Sequence, residues 1–184
     1  MSHTGGPLSK KGGWARWLVT LVVAAVVVAL DQWSKYLIEQ NIPLGGYLAP
    51  FPALEPWFKL VHWTNTGAAF GLLRGQAPLF IAIALVVIVA VLIYARQLPA
   101  DSWAVRICLG LMLGGAIGNL IDRLHQSGQV TDFLLFSLPV GNRVYSWPAW
   151  NVADASIVVG TILLGILLLR SEQSKAPAPT RSAE

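Results

Sequence analysis

The chain has 184 residues, 55% of them hydrophobic and 12% charged, a balance too apolar for an ordinary soluble domain and suited to a membrane. Thirteen Lys and Arg against nine Asp and Glu give a formal charge of +4, most of which membrane topology accounts for, so nothing argues for a nucleic-acid partner. A lone cysteine, Cys108, excludes an intramolecular disulfide and reads as a small buried hydrophobe.

Residues 1–16, rich in Gly, Ser and Lys, read as a flexible cytoplasmic tail. The first apolar span, 17–38, follows Lys10, Lys11 and Arg16 but reads as a retained anchor, because it runs past Asp31 to Ile38 and no small-x-small cleavage site ends it. Within it, DQWSK sets Asp31, Ser34 and Lys35 at i, i+3 and i+4 on one helical face, either as an internal ion pair with Lys35 snorkelling outward or as part of a site. The connection 39–76 carries four prolines and then WFKLVHW, whose period of two predicts a short strand lying against the membrane surface. NTGAAFGLL follows, with Asn65 and Gly67 marking a turn before a short interfacial helix.

The second span, 78–95, is wholly apolar, and Pro99 stops it in a short turn, 96–101. In the third, 103–121, Gly110, Gly114 and Gly118 recur every four residues, the spacing of close helix packing. Asn119 and Asp122, at i and i+3, project a polar pair between helices, although Asp122 beside Arg123 also suits a solvated helix end with an ion pair. The second connection, 122–150, contains Asp132 and ends in YSWPAW, whose aromatic residues mark the headgroup level at which the fourth span, 152–169, enters. There Asn151 suits the N-cap and Asp154, three residues on, answers the positive helix end. Residues 171–184 are polar, with two prolines, and read as a second flexible tail. Lys10, Lys11, Arg16, Arg96, Arg106, Arg170, Lys175 and Arg181 fall on one side, against Lys35, Lys59, Arg74, Arg123 and Arg143 on the other, which puts both termini in the cytoplasm.

A carboxylate at mid-helix in a bilayer costs roughly 2.5–3.5 kcal/mol, whereas a cap returns about 1 kcal/mol, so several carboxylates on one side of so small a protein point to a functional site. Two nearby carboxylates in a low-dielectric site resist double ionisation; one keeps a proton while the other acts as general base on water, which suffices for peptide hydrolysis without metal or cofactor. No HExxH or GxSxG motif occurs, and His3, His62 and His125 are scattered. A Ser34–Lys35 dyad is disfavoured because adjacent helical residues diverge by about 100°. A small transporter or proton relay using the same carboxylates is the rival reading; it calls for polar residues through the membrane's depth, which the second span lacks.

Taken together, DQWSK, NTGAAFG, GGAIGNLIDR, VTDF and WNVADA resemble, in order and placement, the lipoprotein signal peptidases, the signal peptidase II family of bacterial membrane aspartic proteases. The resemblance covers roughly residues 17–170, the span of the expected peptidase domain. It implies cleavage of a prolipoprotein's signal peptide before a diacylglyceryl-modified cysteine, at the external face of the bacterial cytoplasmic (inner) membrane, with membrane lipid and that precursor as the partners and no metal, cofactor or nucleic acid. The catalytic pair maps onto Asp132 and Asp154; Asn119, Asp122, Arg123 and Asn151 map onto supports for the pair and the substrate backbone. Asp31, Lys35, Asn65 and Gly67 match the earlier motifs, with structural or substrate-positioning roles. The fold expected is an all-α polytopic membrane protein of four transmembrane helices, with a small external β element and interfacial helix between the first two.

Overall fold

A computed structural model describes residues 13–67, 73–99 and 102–175. Its chain order is α1 (Gly13–Asn41), β1 (Tyr47–Leu48), a 3-10 turn (Pro52–Leu54), β2 (Phe58–Asn65), α2 (Ala77–Gln97), α3 (Trp103–His125), β3 (Val130–Val140), β4 (Arg143–Ser146) and α4 (Val152–Lys175). All four helices are long and apolar enough to cross a bilayer, as their sequences predict. The expected interfacial helix falls largely on residues 68–72, outside the described residues. Helical backbone also reaches into both segments read as tails, at 13–16 and 171–175.

α3 is the hub, packing against α1, α2 and α4. Its glycines permit this approach: a Cβ at Gly110 would lie 2.7 Å from the Val23 Cβ, one at Gly114 2.6 Å from the Val27 Cβ, and one at Gly115 would strike the Ala153 carbonyl oxygen. One stripe therefore seats α1, and Gly115 seats α4. At the end bearing both termini, Ala24, Val91, Ala95, Leu109 and Leu113 form a hydrocarbon core. Arg106 is buried there too, donating to the carbonyls of Leu98 and Pro99 at 3.1 Å each and of Ala95 at 3.4 Å, so a cation closes the C-terminal end of α2. Cys108 is buried, as expected of a small hydrophobe.

At the other end lies a four-stranded antiparallel sheet, ordered β1-β2-β3-β4. Here the structure corrects the sequence reading: half of the sheet comes from the connection between α3 and α4, in which no strand is expected, and β3 is its longest member. The reason is visible in VTDFLLFSLPV. Residues 130 to 133 are buried whichever way they point, so the run shows no alternation, and Pro139 sits beyond that buried stretch. β2 begins one residue later than WFKLVHW suggests and continues to Asn65. Between Leu60 and Trp63 it carries an extra residue opposite β3, a bulge that bends it past Asp132. Phe133 on β3 packs with Ile38 and Ile42, fastening the sheet to the end of α1.

Candidate active site

Four separate elements carry polar side chains to the junction of bundle and sheet. α3 contributes Asn119, Asp122 and Arg123 from its last two turns; Asp122, assigned from sequence to the following connection, lies inside the helix. β3 contributes Asp132, the end of β2 Asn65, and the start of α4 Asn151 and Asp154.

Asn151 performs the expected cap, its Oδ1 accepting the Asp154 N–H at 2.9 Å. Its other end does more: Nδ2 donates to Asp132 Oδ1 at 2.7 Å and approaches Asn119 Oδ1 and the Thr131 carbonyl at 3.3 Å. Asn119 Nδ2 in turn donates to Asp154 Oδ1 at 2.7 Å. A continuous chain thus runs Asp132–Asn151–Asn119–Asp154, with each asparagine supplying one carboxylate with a donor. Asp132 receives a second donor on Oδ2, from Asn65 Nδ2 at 3.1 Å, while Asn65 Oδ1 accepts the Gly67 N–H at 2.9 Å and makes the predicted turn.

Asp132 is only 4% exposed. Burial, and after it the charge of Asp154, pushes its pKa up to about 7, against the opposing pull of the Asn65 and Asn151 hydrogen bonds and the Lys35 charge. Near neutral pH Asp132 is therefore close to half-protonated.

Both carboxylates line a cavity of about 580 Å³. Asn65, Gly67, Asn119 and Arg123 share its polar wall; Phe80, Val130, Trp147, Trp150, Val158 and Val159 are the larger residues of its apolar wall. Val158 and Val159 are exposed on the flank of α4, so the cavity borders the surface that the bundle turns toward lipid. The Arg123 guanidinium lies 4.9 Å from the centre of the Phe80 ring, and Nη1 reaches the Asn119 carbonyl at 3.4 Å. Its Nε has no hydrogen-bond partner among the described residues.

The remaining expected residues, Asp31, Lys35 and Asp122, lie behind the cavity wall instead of on it. Lys35 does not snorkel: it is 2% exposed and pairs with Asp31 at 2.7 Å and Asp122 at 2.8 Å. Asp122, buried as well, takes this partner rather than Arg123 or solvent. Ser34 donates to the carbonyl of Asp31 in its own helix, which disposes of a serine–lysine dyad.

Sequence reasoning missed Gln32, whose Nε2 donates to Asp122 Oδ1 at 2.8 Å, and Phe80 beneath Arg123. Gln32 adjoins Asp31 in DQWSK, a polar side chain inside an apolar run, and that oddity was its available signal. Phe80 carries no signal, since it is one apolar residue among many.

A family model described as signal peptidase (SPase) II matches residues 23–170. A lipoprotein signal peptidase of Moorella thermoacetica is 41% identical over 159 residues, covering 85% of this chain and 98% of that one. Another, from Geobacillus thermodenitrificans, is 40% identical over 154 residues, covering 84% and 91%. Two solved structures of bacterial membrane enzymes share the fold, with TM-scores of 0.74 and 0.67 at 27% and 29% identity; they cover 88% and 82% of this chain and 94% and 92% of theirs.

Proposed function

The chain belongs to the signal peptidase II family, and from that premise we propose how this membrane aspartic peptidase removes signal peptides from prolipoproteins. Asp132 and Asp154 are the catalytic pair. The ionised member takes a proton from water, whose oxygen attacks the scissile carbonyl carbon; the protonated member gives its proton to the carbonyl oxygen. Collapse of the tetrahedral intermediate then breaks the C–N bond, and the proton taken from water passes to the leaving amine.

One observation carries this reading: the two carboxylates sit on one cavity wall, joined through Asn151 and Asn119 by donors at 2.7 Å. Those amides hold the acids in place while leaving Asp154 Oδ2 open to water or substrate. Arg123, on the same cavity wall as the pair, holds the substrate backbone. The apolar wall of Trp147, Trp150, Val158 and Val159 suits a diacylglyceryl-modified cysteine arriving from the bilayer, with cleavage just before that residue. Arg96 and Arg170 lie at the end of the bundle that bears the termini, which supports cytoplasmic termini and a site at the external face of the inner membrane. The transporter or proton-relay reading finds no support: the family model and the relatives that match this chain are signal peptidases.

The test is direct. Purified protein cleaves a lipid-modified precursor, read by mass spectrometry as the loss of the signal peptide, and Asp132→Asn or Asp154→Asn abolishes the cleavage; retained activity in either variant refutes the assignment.

A further inference from the structure

Lys35 touches neither the cavity nor the aspartates lining it, yet its surroundings are unusually specific. All three ammonium donors are engaged: Asp31 Oδ2 at 2.7 Å, Asp122 Oδ2 at 2.8 Å and Asn119 Oδ1 at 3.3 Å. Each carboxylate also grips one backbone N–H. Asp31 Oδ1 accepts that of Ala153 at 2.9 Å, and Asp122 Oδ2 accepts that of Thr131 at 3.1 Å. Those two residues immediately precede Asp154 and Asp132.

We propose that Lys35 is a yoke: by binding Asp31 and Asp122 at once, it sets the spacing between the peptide that carries Asp154 and the peptide that carries Asp132. The proposal rests on the assignment of those two aspartates to the reaction and adds to it a positioning residue in α1. An i, i+4 pair with Asp31 alone would tie α1 only to itself; Asp122, across the interface on α3, makes the ammonium the charged junction between the two grips, beside the Gln32 amide, which reaches Asp31 Oδ2 at 3.2 Å and Asp122 Oδ1 at 2.8 Å. Asp31, Lys35 and Asp122 are each at most 3% exposed, so water does not stand in for a lost partner and an arm once cut is not restored by solvent. The junction is also sterically confined. A Cβ at Gly118 would lie 2.6 Å from Asp31 Oδ2, so the carboxylate reaches both Lys35 and Ala153 through space that only glycine leaves open.

Two readouts separate a yoke from a merely stabilising ion pair: steady-state kinetics on a lipid-modified precursor, and amide hydrogen exchange at Ala153 and Thr131 measured by NMR in lipid nanodiscs. Lys35→Met lowers kcat by about 100-fold, the scale expected when reacting groups lose their spacing, while KM stays within about threefold. Both amides lose protection together. Asp122→Asn speeds exchange at Ala153 although the Asp31–Ala153 bond is untouched, and Asp31→Asn does the same at Thr131. In the double variant the two kcat losses do not multiply, because the first cut already opens the yoke. Gly118→Ala displaces Asp31 without removing a charge and lowers kcat in the same manner, so the test survives if Lys35→Met does not fold. Unchanged exchange at Ala153 in Asp122→Asn, or kcat losses that multiply, overturns the proposal. A wild-type protein that cleaves nothing overturns the assignment of function instead, and the exchange coupling then still decides whether the yoke exists.

Discussion

α2 and α3 both cross the membrane, and they are built on opposite principles. α2 is the more apolar, yet only 6% of its spanning stretch is buried in protein; α3 is less apolar, and half of its stretch is buried. In water the order would be reversed, because hydrophobicity drives burial there. In a bilayer, lipid accepts the side chains of α2 as readily as protein does, and close packing selects the small residues of α3. The same property admits chemistry. A helix that lies among others on several sides can carry Asn119, Asp122 and Arg123 at membrane depth, since neighbouring elements supply their partners; a helix facing lipid cannot.

Substitutions can break or sharpen this contrast. The largest effect belongs to the pair that α3 supports: Asp154→Asn retains an oxygen to accept from Asn119 but removes an acid, and lowers precursor cleavage by about 10³-fold or more, measured as initial rate at saturating substrate. Next, Asn119→Ala leaves Asp154 Oδ1 without its donor and Lys35 without a third acceptor, reducing cleavage roughly 10–100-fold, the equivalent of about 1.5–3 kcal/mol for a hydrogen bond to a charged group. Away from the site, Gly114→Ala drives a methyl into the Val27 side chain and the Ala24 carbonyl; it destabilises the protein by about 1–3 kcal/mol, read from denaturant unfolding in detergent.

The pH dependence has a definite sign. Asp132 is raised from 3.8 to about 7, so between those values the folded protein holds a proton that the unfolded chain releases. Its contribution to stability is fully present below about pH 4 and is lost as pH rises through about 7. The melting temperature of Asp132→Asn therefore gains on that of the wild type across this interval and keeps a constant offset above it. A gain confined to higher pH would show that the charge of Asp154, or of the nearby Lys35, Arg123 and Asp122, sets the titration differently. Smallest of all is Val86→Ala on α2. Val86 is 68% exposed to what the bilayer fills, and the change alters stability by less than about 0.5 kcal/mol.

Much was legible in advance because it depends on local spacing. Four apolar runs of sufficient length become four helices, the α3 glycines at intervals of four become the α1 contact, and Asn151 ahead of an apolar run becomes a cap whose oxygen takes the Asp154 N–H. The resemblance picked out Asp132 and Asp154 by motif. β3 was not legible, because its first four residues are buried on both faces and show no alternation, and the Gln32–Asp122 bond was not, because 90 residues separate its ends.

The sequence by itself determined that this chain has four segments long and apolar enough to span a membrane and that several of its carboxylates fall at one end of them, since apolar length and charge placement are properties of the string. Only the tertiary structure decided which carboxylates face a cavity and which are consumed behind it. Asp31, Asp122, Asp132 and Asp154 are all carboxylates at the ends of apolar runs; one buried ammonium from α1 pairs with Asp31 and Asp122, while two amides join Asp132 to Asp154 at the cavity. That division depends on which partner each acid meets in space, and the meeting exists only once α3 has drawn the other elements around itself.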